Sequence, residues 1–273
     1  MFREGEPLPS FASLSPRKLD KCELMATNPV IIRSSVFSSY LDLRFGLSTR
    51  NGGISPAPLG LNLSFSVGDV PENVQRNRAL FFGALGIEPE RVAFPGQVHS
   101  DVVERVSRPG RMEQCDALTT NAKELYLAIS IADCLPIFLY DPVNSCIAAI
   151  HSGWRGSKGK IVSRAIQRMA ELYASDPRNL MAFIGPGAGV CCYEVGEDVA
   201  GQFPGEYAER ATLRKPHLDL KRWNADLLLE SGVLRPNTEI SDDCTICDER
   251  FHSYRRDGSR SGRMLGVIGM DGN

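Results

Sequence analysis

Apolar residues Ile161, Ala165, Ile166, Met169, Leu172 and Tyr173 recur near every 3.6 positions, which predicts an amphipathic helix over residues 157–174. Three further helices are predicted. One follows Asp69 as its cap, with Pro71 and Glu72 in the first turn and Gly86 as the stop. A short one is marked by Val195, Val199 and Phe203, and another spans residues 220–231 and closes at Gly232. Between them lie short apolar or alternating runs at 101–106, 125–131, 137–140, 146–150, 180–184 and 264–268. Their β-branched content and turn-rich borders predict strands. Strands often follow one another with no helix between, so the order is not a regular βαβ alternation. It predicts an α+β fold, a single layered catalytic domain over 29–273 with mixed β-sheets flanked by helices. Residues 1–28 are polar and dotted with proline, and are expected to form a flexible N-terminal extension.

Composition narrows the function without naming it. The chain has 273 residues, 42% hydrophobic and 23% charged, enough apolar content for a substantial core and too much for disorder. Thirty-one basic against 33 acidic residues give a net charge of −2, so no nucleic-acid footprint stands out. No apolar run approaches the roughly 18 residues a bilayer requires, and the N-terminus lacks the apolar core of an export signal. A cytoplasmic protein with neither membrane nor nucleic acid as partner is expected. Its eight cysteines are then reduced thiols, most of them packed as small hydrophobes. Cys244-x-x-Cys247 is half of a common zinc spacing, with no second pair to complete it; adjacent Cys191 and Cys192 are expected to pack.

Candidate chemistry gathers at strand ends. His99 lies where the turn Gly96-Gln97-Val98 leads into a strand, and His151 is the first polar residue after the apolar run 146–150. Cys134 lies in Ala132-Asp133-Cys134-Leu135-Pro136, where a strand gives way to a turn. Sheets tend to gather active sites at such ends. Two imidazoles and a thiolate suit zinc and leave a fourth position open. Copper would accept the same donors, and a metal-free Cys134–His151 dyad or simple packing are the other options. His217 and His252 sit among polar residues and are expected at the surface.

Arginine supplies a second theme. Arg155, with Lys158 and Lys160, stands at the start of the 157–174 helix, where free N–H groups favour an anion. Arg255, Arg256, Arg260 and Arg263 cluster before the last strand, and Arg50 lies in a turn. Such guanidinium forks grip phosphate well. Gly185-Pro186-Gly187-Ala188-Gly189 departs from the dinucleotide fingerprint, so a dinucleotide fold is set aside.

Taken in order, several segments form one pattern: Phe45 through Gly53, Leu61-Asn62-Leu63 with Val67-Gly68-Asp69, and Gly96 through His99. Ala132 through Pro136, His151 through Gly156, Tyr193 through Gly196, and Ser253 through Arg256 with Gly262-Arg263-Met264 complete it. The chain resembles the YfiH-type family, labelled both multicopper polyphenol oxidoreductase (laccase-like) and purine nucleoside phosphorylase. The resemblance runs from about Val30 to Met270. It implies an α+β domain with a zinc-binding site whose ligands carry over as His99, Cys134 and His151. It also implies phosphorolysis of adenosine, inosine, guanosine or methylthioadenosine, with a purine nucleoside and inorganic phosphate as partners, and adenosine deamination. On that footing Arg50, Arg155 and Arg255 are candidates for the phosphate, and Asp133 or Glu194 for proton transfer. Three alternatives remain in view. A copper-dependent polyphenol oxidase needs several coppers, which one trio and four histidines in all supply poorly. A Cys–His amidase acting in peptidoglycan editing and a non-enzymatic zinc module are the others.

Overall fold

The computed structural model describes residues 28–210 and 215–272, so the expected N-terminal extension lies outside it apart from Asn28. In chain order the first half gives β1 (Ile31–Ile32), β2 (Leu43–Ser48), α1 (Pro71–Leu85), β3 (Val92–Pro95) and β4 (Val103–Arg105). Then come β5 (Gly110–Met112), β6 (Ala117–Thr120), β7 (Tyr126–Ile131), β8 (Leu135–Asp141) and β9 (Cys146–Ser152). The second half continues with α2 (Trp154–Lys158), α3 (Ile161–Tyr173), β10 (Met181–Ile184), α4 (Glu197–Ala200), β11 (Ala208–Glu209) and β12 (His217–Leu218). It ends with α5 (Leu220–Glu230), β13 (Thr238–Ile240), α6 (Tyr254–Asp257) and β14 (Met264–Met270).

Two six-stranded mixed sheets result, ordered β1-β2-β14-β7-β3-β5 and β13-β10-β8-β9-β6-β4. The α+β expectation with mixed sheets holds. Period-two alternation explains how they stack. Phe138 and Tyr140 of β8, with Ile147 and Ala149 of β9, join Phe45, Leu127, Ile129 and Ile268 of the other sheet in one shared core. Their neighbours Ile137, Leu139, Ala148 and Ile150 turn the opposite way, under Ile161, Ala165, Ile166 and Met169 of α3 and Leu227 and Leu228 of α5. On the outer face of the first sheet, Ala128, Leu265 and Val267 pack against Phe81, Phe82 and Leu85 of α1. The order is helix, sheet, sheet, helix. Central strands covered on both faces read as near-continuous apolar runs, which is why they were legible.

Two expected features are corrected. The 157–174 helix is two helices, α2 and α3, separated by Gly159 and by Lys160 in a left-handed conformation (φ 56°). A Cβ on Gly159 would lie 2.8 Å from Asp101, so α2 turns where it presses against the loop before β4. Asp69 does not cap α1, whose N-cap is Val70 without a side-chain bond. Instead the Asp69 carboxylate accepts from the Ser55 hydroxyl (2.8 Å) and the Asn62 amide (2.8 Å), tying down the preceding loop.

Candidate metal centre and its cleft

Strand register brings the predicted trio together. In the antiparallel β8–β9 pair, Leu135 faces Ser152 and Pro136 faces His151, so Cys134 just before β8 stands beside the end of β9. His151 belongs to β9 itself rather than following it. His99 arrives from the loop between β3 and β4. One donor atom from each of His99, Cys134 and His151 lies within 4.8 Å of the others. Cys134 Sγ is 4.0 Å from His99 Nε2, and the two imidazole rings stand edge to face with centroids 5.1 Å apart. His151 is buried, Cys134 half-buried and His99 exposed, so the group opens on one side.

Backbone conformations around the trio are unusual. Gln97, His99 and Asp133 all have positive φ (49°, 60° and 89°), which side chains other than glycine seldom adopt. Something must hold them. The Gln97 amide pairs with β7 like an extra strand residue, donating to the Ser130 carbonyl (2.7 Å) and accepting from its N–H (2.9 Å).

The more consequential anchor is Asp116, which no pattern along the chain marks out. It precedes β6, is wholly buried, and its carboxylate accepts from the backbone N–H groups of Val98 (3.1 Å), His99 (3.0 Å) and Ser100 (2.7 Å). The Ser100 hydroxyl (2.8 Å) and His151 Nδ1 (2.8 Å) complete the set. Five donors to one carboxylate require that His151 carry its proton on Nδ1, which leaves Nε2 as the donor atom for a metal. Metal-binding histidines are commonly oriented by a carboxylate in this manner. Burial pushes the Asp116 carboxyl up, but the bonds from His151 and Ser100 more than offset it and hold it at about 2.

The same charges act on Cys134. Burial pushes its thiol up, yet His151 and then His99 outweigh burial and bring it down to about 6. His151 is opposed by burial and raised to about 9 by Cys134 and Asp116. Without a metal the two form a thiolate–imidazolium pair, the charge state a soft cation would displace a proton to use. In metal-free protein, alkylation of Cys134 by iodoacetamide, followed by peptide mass spectrometry, is therefore expected to rise with a midpoint near pH 6. A midpoint near the ordinary thiol value of 9.0 would refute the pairing.

Beside the trio lies a cleft lined by Trp154, Tyr193, Glu194, Lys215 and Arg255. Tyr193 is buried and close enough to Cys134 and Asp133 that, after burial itself, their charges push its phenol up to about 12. The Arg255 guanidinium lies 5.2 Å from the Tyr193 ring and donates to the Glu194 carbonyl (2.9 Å). Asp133 accepts from the Arg255 backbone N–H (2.7 Å) at one oxygen and from the Thr245 hydroxyl (2.8 Å) at the other. The Glu194 carboxylate faces Lys215 at 3.5 Å on the exposed wall.

The remaining arginines divide. Arg155 is exposed and lies over the Trp154 ring at 4.3 Å, but α2 has only five residues, so no long helix start accompanies it. Arg50 stands near His252, helping to lower that ring's pKa. Arg256 is internal: it donates to the carbonyls of Thr245 (3.0 Å), Ile246 (3.2 Å) and Phe251 (2.7 Å). Arg263, the last of the cluster before β14, is close enough to Asp133 and Cys134 that these anions oppose the lowering of its pKa by burial. His252 corrects an expectation outright: it is fully buried, with neither ring nitrogen bonded, and burial followed by the charges of Arg50 and Arg263 lowers it to about 3. His217 is half-buried, with Nδ1 2.7 Å from the Val190 carbonyl.

A family model described as multi-copper polyphenol oxidoreductase laccase matches residues 44–271. The chain belongs to that family. Among its relatives, a Deinococcus radiodurans protein named purine nucleoside phosphorylase is 41% identical over 228 residues, covering 82% of this chain and 87% of that one. A Bacillus subtilis protein named purine nucleoside phosphorylase YlmD is 32% identical over 243 residues, again covering 82% and 87%. The crystal structure of YlmD from Geobacillus stearothermophilus superposes with a TM-score of 0.84 at 30% identity, covering 90% of this chain and 97% of that one. The family's laccase label and its members' nucleoside names point to different chemistry, and the donor set bears on both. A multi-copper centre needs many imidazoles, whereas this chain has four histidines, of which His217 and His252 lie outside the trio. The trio fits one divalent ion with an open face: two nitrogens, one low-pKa thiolate, and a carboxylate fixing the buried ring. Among the described residues, no helix is long and apolar enough to cross a membrane.

Proposed function

We propose that this chain is a zinc-dependent purine nucleoside phosphorylase that also deaminates adenosine. The observation that carries the reading is the convergence of His99, Cys134 and His151 beside a cleft walled by two aromatic rings and an arginine. The relatives' names supply the substrate class, and phosphorolysis explains why cations accompany the trio. His99, Cys134 and His151 would hold the zinc, which when bound supplies Lewis acidity at neutral pH.

The chain's own groups have separate tasks. Trp154 and Tyr193 offer faces on which a purine can lie, since aromatic rings stack in offset or edge contact. Arg255, with Arg155 and Arg50 as further candidates, would meet the phosphate dianion through fork-shaped hydrogen bonds. A phosphate oxygen attacks the ribose C1′, the bond from C1′ to the purine nitrogen breaks, and the base leaves with a proton. Glu194 is the proposed source of that proton. Asp133, with both oxygens already accepting, is better placed to position Arg255. Deamination replaces the C6 amino group with a water oxygen and releases ammonia. We place the enzyme in the cytoplasm, where a low-pKa thiolate stays reduced.

Incubation with adenosine and phosphate, read by chromatography, is expected to give adenine with ribose-1-phosphate, and inosine with hypoxanthine. Chelation should stop both reactions and added zinc should restore them. A second reading rests on a specific chain of contacts: Cys134 beside His151 beside Asp116 is also the arrangement of a cysteine hydrolase. Turnover on amide substrates that survives complete zinc removal would establish that reading instead.

A further inference from the structure

Cys244-x-x-Cys247 gains the partner pair that the linear sequence withholds. Strands β10 and β13 run parallel, with Ile184 beside Ile240, and their continuations stay paired at Gly187 and Cys244. The two chains leaving the sheet edge therefore travel together. Along them, the sulfurs of Cys191, Cys192, Cys244 and Cys247 come within 4.8 Å of one another. This overturns the expectation that Cys191 and Cys192 merely pack; both are at least partly exposed, as is Cys247, while Cys244 is buried.

The geometry points to a second metal site, in which Cys191, Cys192, Cys244 and Cys247 hold one zinc ion as a closed tetrathiolate. A zinc–sulfur bond of about 2.3 Å sets the edge of a sulfur tetrahedron at about 3.8 Å. Cys191 Sγ and Cys247 Sγ lie 3.9 Å apart. Space is made for the sulfurs: a Cβ on Gly189 would come within 3.0 Å of Cys244 Cβ and 3.3 Å of the sulfurs of both Cys191 and Cys244. Backbone donors face the buried sulfur, with the Gly189 N–H at 3.2 Å from Cys244 Sγ and the N–H groups of Ile246 and Cys247 turned to it as well. Such donors spread the excess negative charge of four thiolates around one dication. Two disulfides would pull the sulfurs into pairs about 2.05 Å apart, whereas here all four share one neighbourhood. An iron–sulfur cluster would hold its cysteines around a larger object than a space of this size accommodates.

Four protein ligands leave no position for substrate, so the ion's role is structural. It would bind the loop carrying Tyr193 and Glu194 to the loop carrying Thr245, whose hydroxyl holds Asp133 beside Cys134. Arg256 braces the same loop by donating to the Thr245 and Ile246 carbonyls. The site would therefore stiffen one wall of the cleft while sharing no ligand with the trio.

Elemental analysis of the full-length protein, purified under reducing conditions with zinc present, is expected to give about two zinc ions per chain. Cys134→Ala and the double variant Cys244→Ser/Cys247→Ser should each retain about one. Cobalt substitution of the Cys134→Ala protein should still show sulfur-to-cobalt charge-transfer absorption. Should the double variant not fold, wild-type protein answers alone: titrating its exposed thiols with a mercurial should release a second zinc equivalent. One zinc per chain in wild type with none in Cys134→Ala overturns the proposal. So does intact mass showing a disulfide among the four cysteines in freshly reduced, zinc-exposed protein.

Discussion

Asp116→Asn is expected to lower the unfolding free energy by about 3–5 kcal/mol and to weaken metal binding at the trio roughly 10- to 100-fold. An amide of the same shape keeps one acceptor oxygen and turns two donor hydrogens toward the other side. At Asp116 the oxygen contacting His99 and His151 faces two donors, and the oxygen contacting Val98 and Ser100 faces three. Whichever way the amide turns, N–H groups meet N–H groups in a wholly buried space, and the lost bonds cannot be replaced by water. The loop holding His99 at a positive φ loses its anchor together with the partner of His151 Nδ1. Urea melts and zinc competition with a chromogenic chelator measure the two effects separately. Asp176 makes the useful contrast: Arg178 holds its carboxyl at about 2 as well, but the pair is on the surface. Asp176→Asn should leave the urea melt where it was. A pH scan adds a sign. A carboxyl held below its unfolded value of about 3.9 stabilises the fold above that pH, and the contribution is lost as pH falls from about 4 toward 2. The acid limb of the wild-type melt should therefore flatten in Asp116→Asn. Equal stability of variant and wild type at neutral pH would show that the carboxylate is not an anchor.

Asp116 also shows where linear reasoning stopped. Strands covered on both faces and helices with a 3.6 period announce themselves, because burial of each side chain is encoded locally. Cys134 and His151 were legible for a related reason: each ends an apolar run, and β8–β9 register then aligns those ends, while His99 stood out as one of four histidines, in a turn leading toward a strand. Asp116 ends no pattern of its own. Its meaning comes from donors 16 to 35 residues away, and the sole local hint is an acid directly before the buried strand β6. The four-cysteine group fails the local test more completely, since its halves meet only through the parallel pairing of β10 with β13. His252 misled because flanking arginines suggest solvent. Their guanidiniums bend away onto carboxylates and carbonyls, Arg250 to Asp248 and Arg256 to the Phe251 carbonyl, and leave the ring inside. Among the strands the sequence did not announce, β1, β5, β11, β12 and β13 have two or three residues each, too few for any period to register, whereas β3 and β6 have four and β2 has six with Arg44 and Gly46 interrupting its apolar run.

Gly153→Ala tests the trio from the opposite direction, by filling space rather than removing a ligand. Gly153 has φ −78° and ψ 179°, a conformation open to any residue, so backbone freedom does not explain the glycine. Space does. An added Cβ would lie 2.9 Å from Cys134 Sγ and 3.3 Å from His99 Cδ2, wedged between two of the proposed ligands. Cys134 Sγ sits one bond beyond its own Cβ, so it can yield only by swinging to another rotamer, out of the trio. The strand ends beneath are held by β8–β9 pairing and by the Ser152 and Ser157 hydroxyls at 2.9 Å, so the backbone has little room to retreat. The variant should fold with near wild-type stability in chelator, yet lose zinc affinity at the trio by roughly 100-fold or more and phosphorolysis with it. The four-cysteine site should remain filled. Gly83→Ala on α1, where an added Cβ meets nothing within 4 Å, is the matched control, expected to stabilise the helix by up to about 1 kcal/mol. If Gly153→Ala binds zinc and turns over adenosine as wild type does, the reacting centre lies somewhere other than between Cys134 and His99.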